Sequence, residues 1–215
     1  MGGMFDPVHV GHIKVALAAQ QILQLDQLKM VPCSIPNHRD QALCSSLQRL
    51  DMLQLAVHDH PGLVVDDREL NRPGTSYTYD TLLSLREENQ DSGLYFVLGA
   101  DAFASLDQWH RWRELFDLCH FVVIERAEFA GGWSVELEQQ VSRRQVAVES
   151  ELFDKKFGNI FNMKGLDSPV SSSMVRDLIA RNEPLEHLLD PAVAAYLEQH
   201  QLYRKAVSSQ QKIGG

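Results

Sequence analysis

Two short apolar runs constrain the fold most. Leu94-Tyr95-Phe96-Val97-Leu98 ends in Gly99-Ala100-Asp101, and Phe121-Val122-Val123-Ile124 ends in Glu125-Arg126. Apolar runs of this length without alternation suit strands buried on both faces, which occur in parallel sheets covered by helices on both sides. The segments between them carry helical spacing. Residues 13–25 place Ile13, Ala16, Leu17, Ile22 and Leu23 on one face. Ser45-x-x-Gln48 reads as a capping box opening a helix that turns Leu47, Leu50, Leu53 and Val57 toward a core. Further helices are predicted over 78–87 and 173–181, and from Asp190-Pro191 to His200. Residues 28–31, 63–65 and 160–163 are further strands. Strand alternating with helix predicts an α/β fold, a doubly wound parallel sheet.

At 215 residues and 44% hydrophobic, the chain suffices for one substantial core and is short for two. One domain over 1–204 is expected, followed by a small polar tail, 205–215, expected to be disordered. No apolar run approaches the roughly 20 residues that span a bilayer, and no basic-then-apolar segment resembles a signal peptide. The expectation is a cytoplasmic protein with no membrane partner. Cys33, Cys44 and Cys119 are odd in number, widely spaced and without metal-ligand spacing, so they read as idle thiols and no protein-built metal site is expected. A net charge of −9 argues against broad nucleic-acid binding, which needs a basic face. A small anion needs only a local basic pocket, for which Lys14, His38, Arg39, Arg126 and Arg176 are candidates.

The sequence holds neither G-x-G-x-x-G nor G-x-x-x-x-G-K-[ST], so neither a dinucleotide-dependent dehydrogenase nor a Walker-type phosphotransferase is supported. The phosphate-handling segment is instead Gly2-Gly3-Met4-Phe5-Asp6-Pro7-Val8-His9-Val10-Gly11-His12. If His9 ends a loop and His12 opens a helix, both imidazoles face the helix N-terminus, where free N–H groups and the dipole favour an anion. Gly11 removes a side chain where backbone meets ligand, and Gly2-Gly3 lets the chain pass under a phosphate. Near the far end, Val170-Ser171-Ser172-Ser173-Met174-Val175-Arg176 sets hydroxyls and free N–H groups at a helix start with Arg176 one turn along. Asp101 and Glu125-Arg126 follow strands, at the carboxyl edge where open α/β sheets bind ligands.

Gly2 to His12 resembles the G-G-[TS]-F-D-P-x-H-x-G-H signature of the nucleotidyltransferase superfamily, with Met4 where a small hydroxyl residue is usual. Residues 170–176 resemble its I-S-S-T-x-[IV]-R motif. Three middle segments resemble one branch, the nicotinate mononucleotide adenylyltransferases. Pro32-Cys33-Ser34-Ile35-Pro36-Asn37-His38-Arg39 is similar to P-x-x-x-P-P-H-[KR], Asn37 replacing a proline. Ser76-Tyr77-Thr78-Tyr79-Asp80-Thr81-Leu82 is similar to S-Y-T-x-x-T-L. Gly99-Ala100-Asp101-Ala102-Phe103, then Trp109-His110, is similar to G-x-D-[AS] then T-W. The likeness closes on Gln201-Leu202-Tyr203-Arg204.

The resemblance implies a Rossmann-like fold and transfer of AMP from ATP to nicotinate mononucleotide, releasing pyrophosphate. It implies His9, His12 and Arg39 as catalytic residues. ATP would be held by Gly2, Gly3, Met4, Phe5, Gly11, Ser171, Ser172, Ser173 and Arg176. The acceptor would be held by His38, Thr78, Asp101, Trp109, His110 and Arg126, with Trp109 offering an aromatic face to the ring. Mg2+ would accompany ATP on its phosphates. Alternatives are a sister enzyme using nicotinamide mononucleotide or phosphopantetheine, and a catalytically weak nucleotide-binding protein. Oligomeric state is open. Because only Met1 precedes Gly2, whereas a loop delivering His9 should itself leave a strand, the sheet is expected to lack its first strand, through a start placed too late or a chain cut short.

Overall fold

The computed structural model describes residues 1–34, 42–125, 132–166 and 169–204. Among these described residues, seven strands and seven α-helices follow one another as β1 (Gly2–Gly3), α1 (Val10–Ile22), β2 (Leu28–Pro32), α2 (Ser46–Val57), β3 (Leu63–Val65), α3 (Thr78–Glu88), β4 (Tyr95–Gly99), α4 (Ala100–Phe103), β5 (His120–Ile124), α5 (Val135–Arg144), β6 (Gln145–Val146), β7 (Ile160–Met163), α6 (Ser172–Ala180) and α7 (Pro191–Gln199). Between α4 and β5 lie two 3₁₀ turns, Leu106–Gln108 and Trp112–Asp117.

All strand pairings are parallel, in two ladders ordered β1-β2-β3 and β4-β5-β7-β6. The apolar run of β5 explains why the second ladder sits inside the protein. Phe121 and Val123 face one core cluster with Leu82, Phe103, Leu115 and Phe116, whereas Val122 and Ile124 face another with residues of α1, α2, β2 and α7. Alternate side chains thus meet helices on opposite faces, as double winding requires.

Where the sheet is expected to lack its first strand, only the glycine pair itself pairs, as the two-residue β1, and it does not join the two ladders. Gly2 lies opposite Val31 and Gly3 opposite Pro32. Val31 N–H donates to Met1 O at 3.0 Å, Cys33 N–H to Gly3 O at 2.9 Å, and the Met1 amine to Lys29 O at 2.8 Å. On its other side β1 meets β4, where a Cβ on Gly2 would come within 3.7 Å of the Phe96 ring. Below Gly2, β2 and β4 face each other across open space.

Several expected core positions differ. Leu47 is 70% exposed, and the face that α2 buries is Arg49, Met52, Leu53 and Ala56. Leu53 is buried and Val57 packs against the core as expected, but hydropathy cannot assign a guanidinium to a core, so the place of Arg49 on this face is not legible from sequence. Ile22 is also exposed, at the last turn of α1. In β4 only Val97 and Leu98 are buried. Tyr95 and Phe96 line the space beside β1, so this strand is not covered on both faces. Neither α5 nor β6 was legible in the sequence, α5 burying just Leu137 and Val141. The tail 205–215 lies outside the described residues.

Candidate active site

The capping box at Ser45 forms as its spacing predicts, with Gln48 N–H donating to Ser45 Oγ and Ser45 N–H to Gln48 Oε1. It fixes the start of α2 so that Arg49, 1% exposed, reaches two strand ends at once. Its Nη1 donates to Met4 O and its Nη2 to Cys33 O, both at 2.7 Å. That fork ties the turn after β1 to the turn after β2.

Beyond Met4 the backbone of Phe5 takes φ +49°, in the left-handed region. The ring of Phe5 is buried in the core, edge-on to His12 with centroids 5.1 Å apart. Its contribution to the site is therefore to seat His12 rather than to present a side chain. His9 is the N-cap of α1 and His12 its third residue, so the pair flanks the helix start. Their rings lie 3.8 Å apart between centroids. The His9 N–H donates to His12 Nδ1 at 3.2 Å, so the proton of a neutral His12 ring is on Nε2, at the far end of the ring.

The two motifs from opposite ends of the chain are joined by hydrogen bonds. Arg176 Nη1 donates to Asp6 O at 2.7 Å, and Ser172 Oγ to Pro7 O at 2.9 Å. Ser171 caps α6 by accepting from Met174 N–H, and its Oγ lies 3.0 Å from that of Ser173. The Asp6 carboxylate, 5% exposed, accepts from Leu43 N–H, Cys44 N–H and the Tyr203 hydroxyl, the last at 2.6 Å. Burial and this bond push the Tyr203 phenol well above its ordinary range. Burial likewise raises the Cys44 thiol to about 11 and the Cys119 thiol further, and none of the three cysteines forms a disulfide, as idle thiols should not.

These segments line one cavity of about 1640 Å³. Gly2, Gly3, Met4, Phe5, His9, Gly11 and His12 form one wall with Ser171, Ser172, Ser173 and Arg176. Thr78, Asp101, Trp109 and His110 line the same cavity. The cavity exceeds a usual ligand pocket because it continues beneath β1, between Leu28 and Lys29 of β2 and Tyr95 and Phe96 of β4. Trp109 lies between the two 3₁₀ turns, half-buried and edge-on to Phe96, whereas Trp112 is buried in the core. The exposed ring of His110 rests on Tyr77 with centroids 4.4 Å apart.

Lys14 is not part of this wall, since it projects from the exposed face of α1. His38, Arg39 and Arg126 lie outside the described residues. Among the described residues no group of three His, Cys, Asp or Glu side chains converges as a metal cage, and no helix is long and apolar enough to cross a membrane.

The cytidylyltransferase-like family model matches residues 1–178. A relative from Aeromonas hydrophila, named a probable nicotinate-nucleotide adenylyltransferase, is 40% identical over 206 residues, covering 96% of each chain. One from Cellvibrio japonicus with the same name is 41% identical, covering 94% of this chain and 96% of its own. The chain belongs to the nicotinate-nucleotide adenylyltransferase family. A solved adenylyltransferase structure, Plasmodium falciparum nicotinic acid mononucleotide adenylyltransferase complexed with NaAD, shares the fold at a TM-score of 0.70 and 19% identity, covering 94% of each chain. The family match runs into α6, so both motifs that meet at the adenylyltransferase cavity fall within it.

Four residues at or behind the cavity escaped the sequence reading as site residues: Arg49, Glu69, Tyr77 and Phe96. Tyr77 had a signal, its place in the Ser-Tyr-Thr segment. Arg49 and Glu69 had none, because their partners come from other parts of the chain.

Proposed function

We propose that the chain transfers AMP from ATP to nicotinate mononucleotide, forming nicotinate adenine dinucleotide and pyrophosphate. The observation that carries this is the convergence on one cavity of the His9–His12 pair at the start of α1, the serine-capped start of α6, and Thr78, Trp109 and His110. The two helix starts with Arg176 suit the polyphosphate of ATP. Thr78, Trp109 and His110 suit the acceptor, Trp109 supplying a face for a flat ring and the first-turn N–H groups of α3, which the Tyr77 side chain does not cap, supplying donors for a carboxylate.

An acceptor phosphate oxygen attacks the α-phosphorus of ATP. The bond from that phosphorus to the bridging oxygen of the β-phosphate breaks, and pyrophosphate leaves with the electron pair. A phosphate is already a nucleophile, so no general base is required, and catalysis reduces to alignment and charge neutralisation. His12 Nε2–H donates to phosphate oxygen as charge shifts toward pyrophosphate, and His9, stacked on it, completes the anion grip. Arg39 and Arg176 are supporting cations, His38, Asp101 and Arg126 acceptor contacts. Mg2+ would enter on the ATP phosphates and neutralise their charge, its preferred oxygen and water ligands needing no protein cage.

Pyrophosphate release with Mg-ATP, comparing nicotinate and nicotinamide mononucleotides and phosphopantetheine, tests this. Nicotinate mononucleotide should exceed the others in kcat/KM by about two orders of magnitude, as a site built for a charged polar group discriminates. Preference for another acceptor, or no turnover with any, would overturn the proposal.

A further inference from the structure

Helix α3 begins unusually for a wall of a binding site. Its N-cap is Tyr77, whose side chain makes no capping bond. The N-cap side chain therefore leaves the first-turn N–H groups uncapped, at a helix start where Tyr77 and Thr78 line the cavity. An uncapped, solvent-facing helix start frays unless something else holds it. Here the holding group is Glu69, from the loop after β3 and 8% exposed. Thr81 Oγ1, one turn into α3, donates to Glu69 Oε1 at 2.8 Å. Arg72 reaches the same turn, its Nη1 lying 3.4 Å from Thr81 Oγ1 and its Nη2 3.5 Å from Asp80 O. Ser76, its buried hydroxyl without a hydrogen-bond partner, and Cys33 lie near the same carboxyl, so the end of β2, the loop before α3 and the first turn of α3 come together around one side chain. Glu69 itself lines the cavity.

Building on the adenylyltransferase reading, we propose that Glu69 is a positioning residue that fixes Ser76, Tyr77 and Thr78 and thereby sets affinity for the acceptor but not for ATP. Burial raises its carboxyl above the ordinary range, while the hydrogen bond from Thr81 and the charge of Arg72 favour the ionised form. Its role in either state is to accept from Thr81. A carboxamide at this position keeps one such acceptor.

The test is steady-state kinetics of E69A and E69Q with whichever acceptor the unaltered enzyme turns over best, alongside thermal denaturation. E69A should raise the acceptor KM about 10-fold and leave the ATP KM within about 2-fold, the scale of one lost hydrogen bond acting on one ligand. E69Q should recover most of that loss. Equal rises in both KM values, or a lower Tm with neither KM changed, would reduce Glu69 to a structural brace and overturn the inference. Failure of nicotinate mononucleotide as acceptor in the unaltered enzyme would instead overturn the functional reading, with the E69A comparison still decided on the acceptor that works.

Discussion

His12 is held from three sides. The His9 N–H occupies its Nδ1, the Phe5 edge bounds its ring, and its place in the first turn of α1 sets its height above the cavity. With Nδ1 accepting, Nε2 carries the proton of the neutral ring, so the residue acts as one preorganised donor. Its removal should cost transition-state stabilisation far more than folding. H12A is expected to lower kcat by about 10²- to 10⁴-fold. A urea midpoint close to that of the unaltered protein would show that the loss is chemical. Near-normal turnover in a folded variant would remove His12 from the mechanism. The two motif histidines are legible in the sequence because three-residue spacing at a helix start translates directly into adjacent rings.

At the scale of elements, the site depends on how strand ends are tied together. Arg49 joins the turns after β1 and β2 from the first turns of α2, with the Asp6 carboxylate gathering Leu43, Cys44 and Tyr203 nearby. R49M would leave Met4 O and Cys33 O buried without donors, which should lower stability by about 3 kcal/mol. Chemical denaturation checks this, and R49K should recover part of the loss by restoring one donor. A midpoint unchanged in R49M would mean the fork contributes nothing net. Elements of this kind mark the limit of sequence reading. The strands after each helix, the capping box at Ser45 and the start of α7 were legible, because apolar runs and caps are local signals. Arg49 on the buried face of α2 was not, since hydropathy does not place a charge in a core, and neither was Glu69, whose partner Thr81 belongs to another element. The sheet was expected to lack its first strand, and only the glycine pair stands there, held to β2 by backbone pairing that needs no apolar side chains.

For the molecule as a whole, the hydrogen-bonded ladder is weak where β1 separates β2 from β4, and packing supplies the continuity. One core cluster joins Leu28 and Met30 of β2 to Val97, Val122, Ile124, Phe161 and Met163 of the second ladder through α1, α2 and α7. Global stability then depends on buried groups far from the site, His120 among them. Wholly buried at the start of β5, its Nδ1 accepts from Asn159 N–H at 3.2 Å and its Nε2 faces Lys155 O at 3.0 Å, an arrangement for a neutral ring. Burial holds its pKa below 6.5, with Arg86 and Lys155 adding to the depression against the bond to Lys155 O. As pH falls through 6.5 the unfolded chain gains a proton that the folded ring refuses, so stability must drop, by at most about 1.4 kcal/mol per pH unit. Asparagine offers an acceptor near the Nδ1 position and does not titrate. H120N should be less stable at neutral pH for lost packing, yet on going from about pH 7 to about pH 5.5 it should lose less stability than the unaltered protein. The raised carboxyl of Glu69 acts oppositely, favouring the fold at low pH, and cancels between the two chains. Parallel stability profiles in urea would show that His120 accepts its proton within the fold and that its burial does not govern acid sensitivity.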